Sequence, residues 1–261
     1  MRRYRLRATG MLFPLLLVLF VLAACGSQPA PRQAAVTPTP MITPTPAITP
    51  TPTPPGVPSA PVHFITQDHI QLAGVLYGSG KTTAIICSHE WRGTKDEWSD
   101  VAPWFAARGF MVLAYDFRGS GDSQGSYDPS KEDLDLLSAI AFVHRQGAKQ
   151  VILLGASMGA DISLIVAAET QVAGVITLSP EYLFGLSDTQ IRAISSPKLF
   201  INSTGDSYAP DTQQMFQNAR QPKELHLYAG VAHGVAIFQT EYGQDLIERI
   251  ITFATTYAPP Q

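Results

Sequence analysis

The globular part of the chain shows two hydropathy patterns in succession. From Val62 to Gly78, VHFITQDHIQLAGVLYG alternates apolar and polar positions about Gln67 and Asp68. That period-two pattern belongs to strands covered on one face, and it predicts a β-hairpin. Short, nearly uninterrupted apolar runs then take over: TTAIICSH (Thr82 to His89), FMVLAYD (Phe110 to Asp116), KQVILLG (Lys149 to Gly155), VAGVITLS (Val172 to Ser179), PKLFINS (Pro197 to Ser203) and KELHLYAG (Lys223 to Gly230). Such runs read as strands buried on both faces. Helical spacing fills the intervals: Trp98 to Arg108 stopped by Gly109, Leu134 to His144, Ser157 to Glu169, a short Thr189 to Ile194, Asp211 to Arg220, and Ile237 to Tyr257. Strands alternating with helices predict an α/β fold, a mostly parallel central sheet with helices on both faces. In such sheets sites gather at the carboxyl ends of the strands.

The first sixty residues follow different rules. MRRYRLR is basic, and Met11 to Leu22 is apolar but shorter than the roughly 20 residues of a comfortable membrane span. LAAC, Leu22 to Cys25, places small residues where a leader is cut. This resembles the lipobox of bacterial lipoproteins, which implies a signal peptide over 1–24, a lipid on Cys25, and an extracytoplasmic domain anchored to the cell membrane. An ordinary leader with an incidental cysteine is the alternative. Residues 25–60 form a Thr/Pro-rich stalk, TPTPMITPTPAITPTPTPPG at its centre. Proline fixes φ and lacks an N–H, so helices and ladders are excluded and an extended polyproline spacer, with or without sugars on its threonines, is expected. Residues 61–261 are long enough to close one substantial core.

Composition narrows the function. A formal charge of −3 and 15% charged residues offer no electrostatic case for nucleic acid. With Cys25 in the leader region, Cys87 has no partner for an internal disulfide and is expected to be buried and inert. HEWRG lacks the second histidine of a zinc helix because position 93 is glycine. No other metal cluster or nucleotide-binding glycine loop occurs, so no metal and no cofactor are expected. Nothing in the sequence specifies an oligomer.

The chemistry centres on GASMG, Gly155 to Gly159, at a strand-to-helix junction. A G-x-S-x-G turn there lifts a serine hydroxyl above the sheet. The hydroxyl needs a base, and the base an orienting acid. Asp206 follows the strand PKLFINS and His233 follows KELHLYAG, so Ser157, Asp206 and His233 all fall on one rim. YDFRGSGDSQG also matches D-x-R-G-x-G-x-S at Asp116, Arg118, Gly119, Gly121 and Ser123. On these motifs residues 62 to 257 resemble the α/β-hydrolase superfamily, nearest its dienelactone-hydrolase-like and prolyl-peptidase-like members. The resemblance implies a Ser157–His233–Asp206 triad, with Asp211 and Glu181 as rival acids. Asp161 is read as an acid in the first turn of a helix, His226 as structural, His144 as a helix-end cation, and His63 and His69 as surface residues.

The oxyanion hole is expected from the N–H groups of Met158 and Trp91. Glu90 stands where the family often has glycine, so its carboxylate must point away, pair with Arg92 or Arg118, or meet substrate. The short interval between Ser179 and Pro197 leaves no room for a large cap. The resulting shallow site suits small to medium acyl esters, with Glu90, Tyr182, Leu183 and Phe184 as candidate pocket residues. A small-molecule ester and, through Cys25, a membrane are the expected partners. Amide, peptide or lactone hydrolysis and a catalytically silent binding module are the alternatives.

Overall fold

The structure, a computed structural model, describes residue 54 and residues 56–261; the expected leader, Cys25 and nearly all of the stalk lie outside the described residues. The hairpin forms as its alternation dictates. β1 (Ser59–Ile65) pairs antiparallel with β2 (Gln71–Tyr77), with Phe64 opposite Leu72. Both side chains are buried.

The apolar runs become β3 (Thr83–Ser88), β4 (Met111–Tyr115), β5 (Gln150–Ala156), β6 (Gly174–Leu178), β7 (Lys198–Ser203) and β8 (Lys223–Tyr228). The sheet has eight strands in the order β1-β2-β4-β3-β5-β6-β7-β8. β2 meets β4 antiparallel, and from β4 through β8 all pairings are parallel. Continuous apolar runs are needed because alternate side chains feed two cores. Ile86, Leu113, Leu153 and Val175 face one core, which receives Leu136 of α2 (Glu132–Arg145), Ile162 of α3 (Met158–Glu169), Ile191 of α4 (Asp188–Ala193) and Met215 of α5 (Ala209–Asn218). Ile85, Val112, Ile152 and Ile176 face the other, against Phe105 of α1 (Ala102–Ala107) and Leu246 and Ile250 of α6 (Gly243–Tyr257). Each such side chain contributes about 1.5–3 kcal/mol on burial, so a polar residue on either face is costly. Cys87 is a buried free thiol in the second core.

Several helices start later or earlier than the sequence pattern predicts, α2 among them at Glu132 rather than Leu134. The stretch from Trp98 splits: Lys95–Trp98 forms a separate 3₁₀ turn capped by the Thr94 hydroxyl, and α1 begins only at Ala102. Pro103 lies in its first turn, where a missing N–H costs nothing. Pro210 has the same place in α5, which therefore begins at Ala209, ahead of Asp211. The final helix is also shorter than expected. Gly234–Gln239 is a 3₁₀ segment, Thr240 is extended with its hydroxyl accepting the Tyr242 N–H, and α6 starts at Gly243.

Two features shape the rim. Between β6 and β7 the chain holds only α4, so no separate cap rises from that connection. The D-x-R-G-x-G-x-S stretch after β4 is a brace. The Asp116 carboxylate accepts from the Lys95 backbone (2.7 Å), Lys95 Nζ (3.0 Å) and the Asp122 backbone (2.9 Å). Ser123 donates to the Asp116 carbonyl at 2.7 Å and accepts the Ala73 N–H at 2.9 Å, which ties the loop back to β2.

Candidate active site

Ser157 links β5 directly to α3 with φ 50° and ψ −118°, a conformation that non-glycine residues rarely hold. Its flanking glycines are required by close approach. A side chain on Gly155 would overlap the Gly159 carbonyl, and one on Gly159 would overlap the Ser88 backbone. The turn sets the hydroxyl at the carboxyl edge of the sheet and starts a helix immediately behind it. The Met158 N–H, in that helix's first turn, has no intrahelical acceptor.

Asp206 and His233 come from the loops after β7 and β8. His233 Nδ1 lies 2.7 Å from Asp206 Oδ2, and Asp206 Oδ1 accepts the Tyr208 N–H at 3.0 Å. With Nδ1–H donating to the carboxylate, Nε2 is left as the basic nitrogen. Two residues that sequence reasoning passed over hold this loop. The Gly234 N–H donates to Ser179 Oγ at 2.9 Å, and Ser179 donates to Asn202 Oδ1 at 2.7 Å. Ser179 also has a left-handed backbone, φ 50°, at the end of β6. Its only sequence signal is its place as a polar residue closing an apolar run.

Glu181 occupies the centre of the arrangement. Ser157 Oγ donates to Glu181 Oε1 at 2.5 Å, and His233 Nε2 lies 3.8 Å from that same oxygen. Ser157 and His233 thus meet at one carboxylate oxygen. Glu181 stands on the Ser157 side of the imidazole and Asp206 on the other. The second rival acid, Asp211, stays in the first turn of α5 and makes no ion pair with His233. Asp161 lies in the first turn of α3, as its sequence position implies, and does more there. It is fully buried and accepts the Glu181 N–H at 2.8 Å and the Phe184 N–H at 3.4 Å, which anchors the loop that carries Glu181. Burial pushes its carboxyl up to about 8.

The loop after β3 carries the candidate oxyanion donor. His89 is buried; Nδ1 lies 2.6 Å from the Glu90 carbonyl and Nε2 accepts the Phe117 N–H at 3.1 Å. That pairing fixes the Nδ1–H tautomer, and burial lowers its pKa. Glu90 points neither at Arg92 nor at Arg118. Its Oε1 accepts the Val235 N–H at 2.7 Å and so clamps the loop that presents His233. Gly234 is matched to this clamp, since a side chain there would collide with the Glu90 carboxylate. Burial pushes Glu90 up, and pushes Glu97, which accepts the Glu90 N–H, to about 7. Arg92 lies over the half-exposed Trp91 ring, 4.4 Å from its centroid. Among the described residues neither the Trp91 N–H nor the Met158 N–H donates a hydrogen bond.

The pocket candidates divide. Tyr182 and Phe184 pack against the first core, with Tyr182 Oη donating to Asp188 at 2.6 Å, while Leu183 is 61% exposed. The other histidines sit apart from Ser157. His226 stacks edge-on against Tyr228 on the edge strand, His144 meets the Ala148 carbonyl, and His63 and His69 are exposed. No group of three metal-ligating side chains occurs among the described residues.

Comparison with known proteins agrees with this architecture. A family model described as alpha/beta hydrolase fold matches residues 83–229, more than half of the chain. By sequence the chain is 31% identical over 137 residues to polyketide transferase grgF of Penicillium sp., a match covering 48% of this chain and 46% of that protein. The chain thus spans about half the length of that relative. It is 26% identical over 235 residues to the uncharacterized protein YfhR of Escherichia coli O157:H7, covering 77% and 82% of the two chains. Among solved structures, the Pyrococcus furiosus esterase Pf2001 superposes with a TM-score of 0.67 at 20% identity, covering 77% of this chain and 93% of that one. The alpha/beta hydrolase GrgF from Penicillium superposes with a TM-score of 0.67 at 21% identity, over 77% and 99%.

Proposed function

We propose, from the premise that this chain belongs to the alpha/beta hydrolase fold family, that it is a serine hydrolase of small to medium carboxylic esters acting through an acyl-enzyme. One observation carries the reading: the His233–Asp206 pair, bonded at 2.7 Å, turns its free Nε2 toward the carboxylate oxygen to which Ser157 is bonded. Ser157 Oγ attacks the acyl carbon and its proton passes to His233 Nε2. Asp206 holds the ring and stabilises the imidazolium. The intermediate's oxygen is met by the Met158 and Trp91 N–H groups; losing one such donor costs about 10²–10³ in rate. Collapse breaks the bond to the alkoxy oxygen, which leaves as the alcohol with the proton from Nε2. Water then repeats the sequence and frees the acid.

The short connection between β6 and β7 supports an open site and small acyl groups. Within the family we place the chain nearest the dienelactone-hydrolase-like and prolyl-peptidase-like members, on the same motifs. We further propose that Cys25 is lipidated and that the Thr/Pro stalk holds the domain off the outer face of the cell membrane, on the strength of the leader pattern alone.

A fluorophosphonate probe and a p-nitrophenyl ester series test the chemistry. Wild type should be labelled at Ser157 and should favour short acyl chains, and Ser157→Ala should lose about 10⁶ in kcat. Absence of labelling rejects the nucleophile. Faster turnover of long-chain esters rejects the open pocket.

A further inference from the structure

Glu181 has no role in the steps just described, yet it is the group that the Ser157 hydroxyl touches. Its side chain is 4% exposed, and no lysine or arginine pairs with it among the described residues. Its backbone N–H is anchored on Asp161, which fixes the point from which the side chain reaches Ser157. A buried acceptor in this position needs a donor at every stage of the reaction. In the free protein the Tyr208 hydroxyl stands beside the carboxylate, and Ser157 supplies its short bond.

Attack removes that donor, because the serine proton goes to His233. What replaces it is decided by geometry. The leaving atom must come within hydrogen-bond reach of His233 Nε2 to collect its proton. Glu181 Oε1 is 3.8 Å from the same nitrogen, so a leaving atom on the Ser157 side of the ring comes within reach of that oxygen. An ester's alkoxy oxygen brings only lone pairs to that meeting. An amide nitrogen keeps its N–H after attack and can donate it to the carboxylate, a charge-assisted bond.

We propose that Glu181 is a specificity-determining residue that accepts a hydrogen bond from the leaving nitrogen and tilts the site toward amides of small acyl groups. The inference rests on the assignment of Ser157 and His233 as nucleophile and base. In the amide reaction the Ser157 Oγ–C bond forms and the C–N bond breaks. The proton taken from Ser157 passes through Nε2 to the nitrogen, and the amine leaves while its original N–H is held by Glu181. The incoming N–H also takes the serine's place on Glu181, freeing the hydroxyl to turn toward Nε2. Esters still react, because their intrinsic reactivity is higher, but without that exchange.

The test uses the full-length protein with three short-acyl substrates: 4-nitroacetanilide, its N-methyl analogue, which has no N–H, and 4-nitrophenyl acetate. Glu181→Ala should lower kcat/KM on the anilide about tenfold or more while raising it on the ester, with Glu181→Gln between. Wild type should discriminate against the N-methyl anilide, and Glu181→Ala should lose that discrimination. Fluorophosphonate labelling reports the nucleophile in every variant. Labelled wild type with no anilide turnover, or an anilide-to-ester ratio that Glu181→Ala leaves unmoved, overturns the role of Glu181 and leaves the nucleophile standing. Unlabelled wild type overturns both.

Discussion

Asp116, Asp122, Asp68 and Asp135 each meet a cation, whereas Asp206, Glu181, Glu90 and Asp161 meet no lysine or arginine among the described residues. In the first region Lys95 Nζ bridges Asp116 at 3.0 Å and Asp122 at 2.7 Å, and Arg118 grips Asp135 at 2.7 Å and Asp68 at 2.8 Å. In the second, carboxylates a short distance away are satisfied by backbone N–H groups, a hydroxyl and an imidazole. A cation ends an acid's chemistry by committing its charge to a permanent partner. A hydroxyl or an imidazole can change partner during a reaction. The brace holds its loops through cations; in the second region Asp161 and Glu90 hold loops through backbone N–H groups, and only Asp206 and Glu181 bond to side chains that can change partner.

Removing charge from each region should separate the two. Asp206→Asn should cost about 10⁴ in kcat, because the amide favours the wrong imidazole tautomer. Its urea midpoint should move little. Retention of wild-type kcat would show that Asp206 does not orient His233. Asp135→Ala attacks the brace instead. It strips Arg118 of three hydrogen bonds from Nε and Nη2 and frees the Arg118 backbone N–H. Breaking such a buried pair should destabilise the fold by about 3–5 kcal/mol, read as a lower urea midpoint. Asp135→Asn, which keeps an acceptor, should lose less. Equal midpoints for Asp135→Ala and wild type would remove the distinction between brace and site.

The brace and the turn at Ser157 differ also in how plainly they can be read from sequence. Apolar runs mark the strands because burial on both faces leaves no polar positions. Gly155 and Gly159 mark the turn at Ser157 because nothing larger fits at either position. The rim positions of Asp206 and His233 follow from strand order. Hydropathy spacing does not locate the helix starts, which Pro103 and Pro210 mark instead, since proline is favoured in a first turn. What sequence does not carry is side-chain direction in loops. Glu181 was legible as an acid after β6, but its contact with Ser157 depends on Asp161 pulling the 181–184 loop inward. Glu90 is legible as a misfit in the candidate oxyanion loop; its turn toward the Val235 N–H depends on a loop far along the chain.

The smallest expected effect is also the one that sets the two regions in opposition. Asp161 is raised to about 8 because burial outweighs the N–H groups that favour its charge. The folded state therefore keeps a proton that the unfolded chain releases in the ordinary carboxylate range. Its contribution to stability is complete below about pH 4 and is lost as pH rises toward 8. Glu97 and Glu132, each raised to about 7 by burial, slope the same way. Asp68 is the reverse. Its hydrogen bonds to Arg118 hold it well below the usual carboxylate range, so its contribution stands above about pH 4 and is lost as pH falls below. Asp161→Asn should flatten the alkaline side of a stability profile, gaining on the order of 1 kcal/mol or more over wild type at pH 8 relative to pH 5. Asp68→Asn should be less stable than wild type at neutral pH, with the gap closing on acidification. Urea unfolding across pH 3 to 9 reads both. If Asp161→Asn runs parallel to wild type throughout, the acid anchoring the Glu181 loop is already ionised in the folded protein. The 181–184 loop would then be held by a carboxylate, and the uncompensated charge beside Ser157 would be larger than the brace comparison allows.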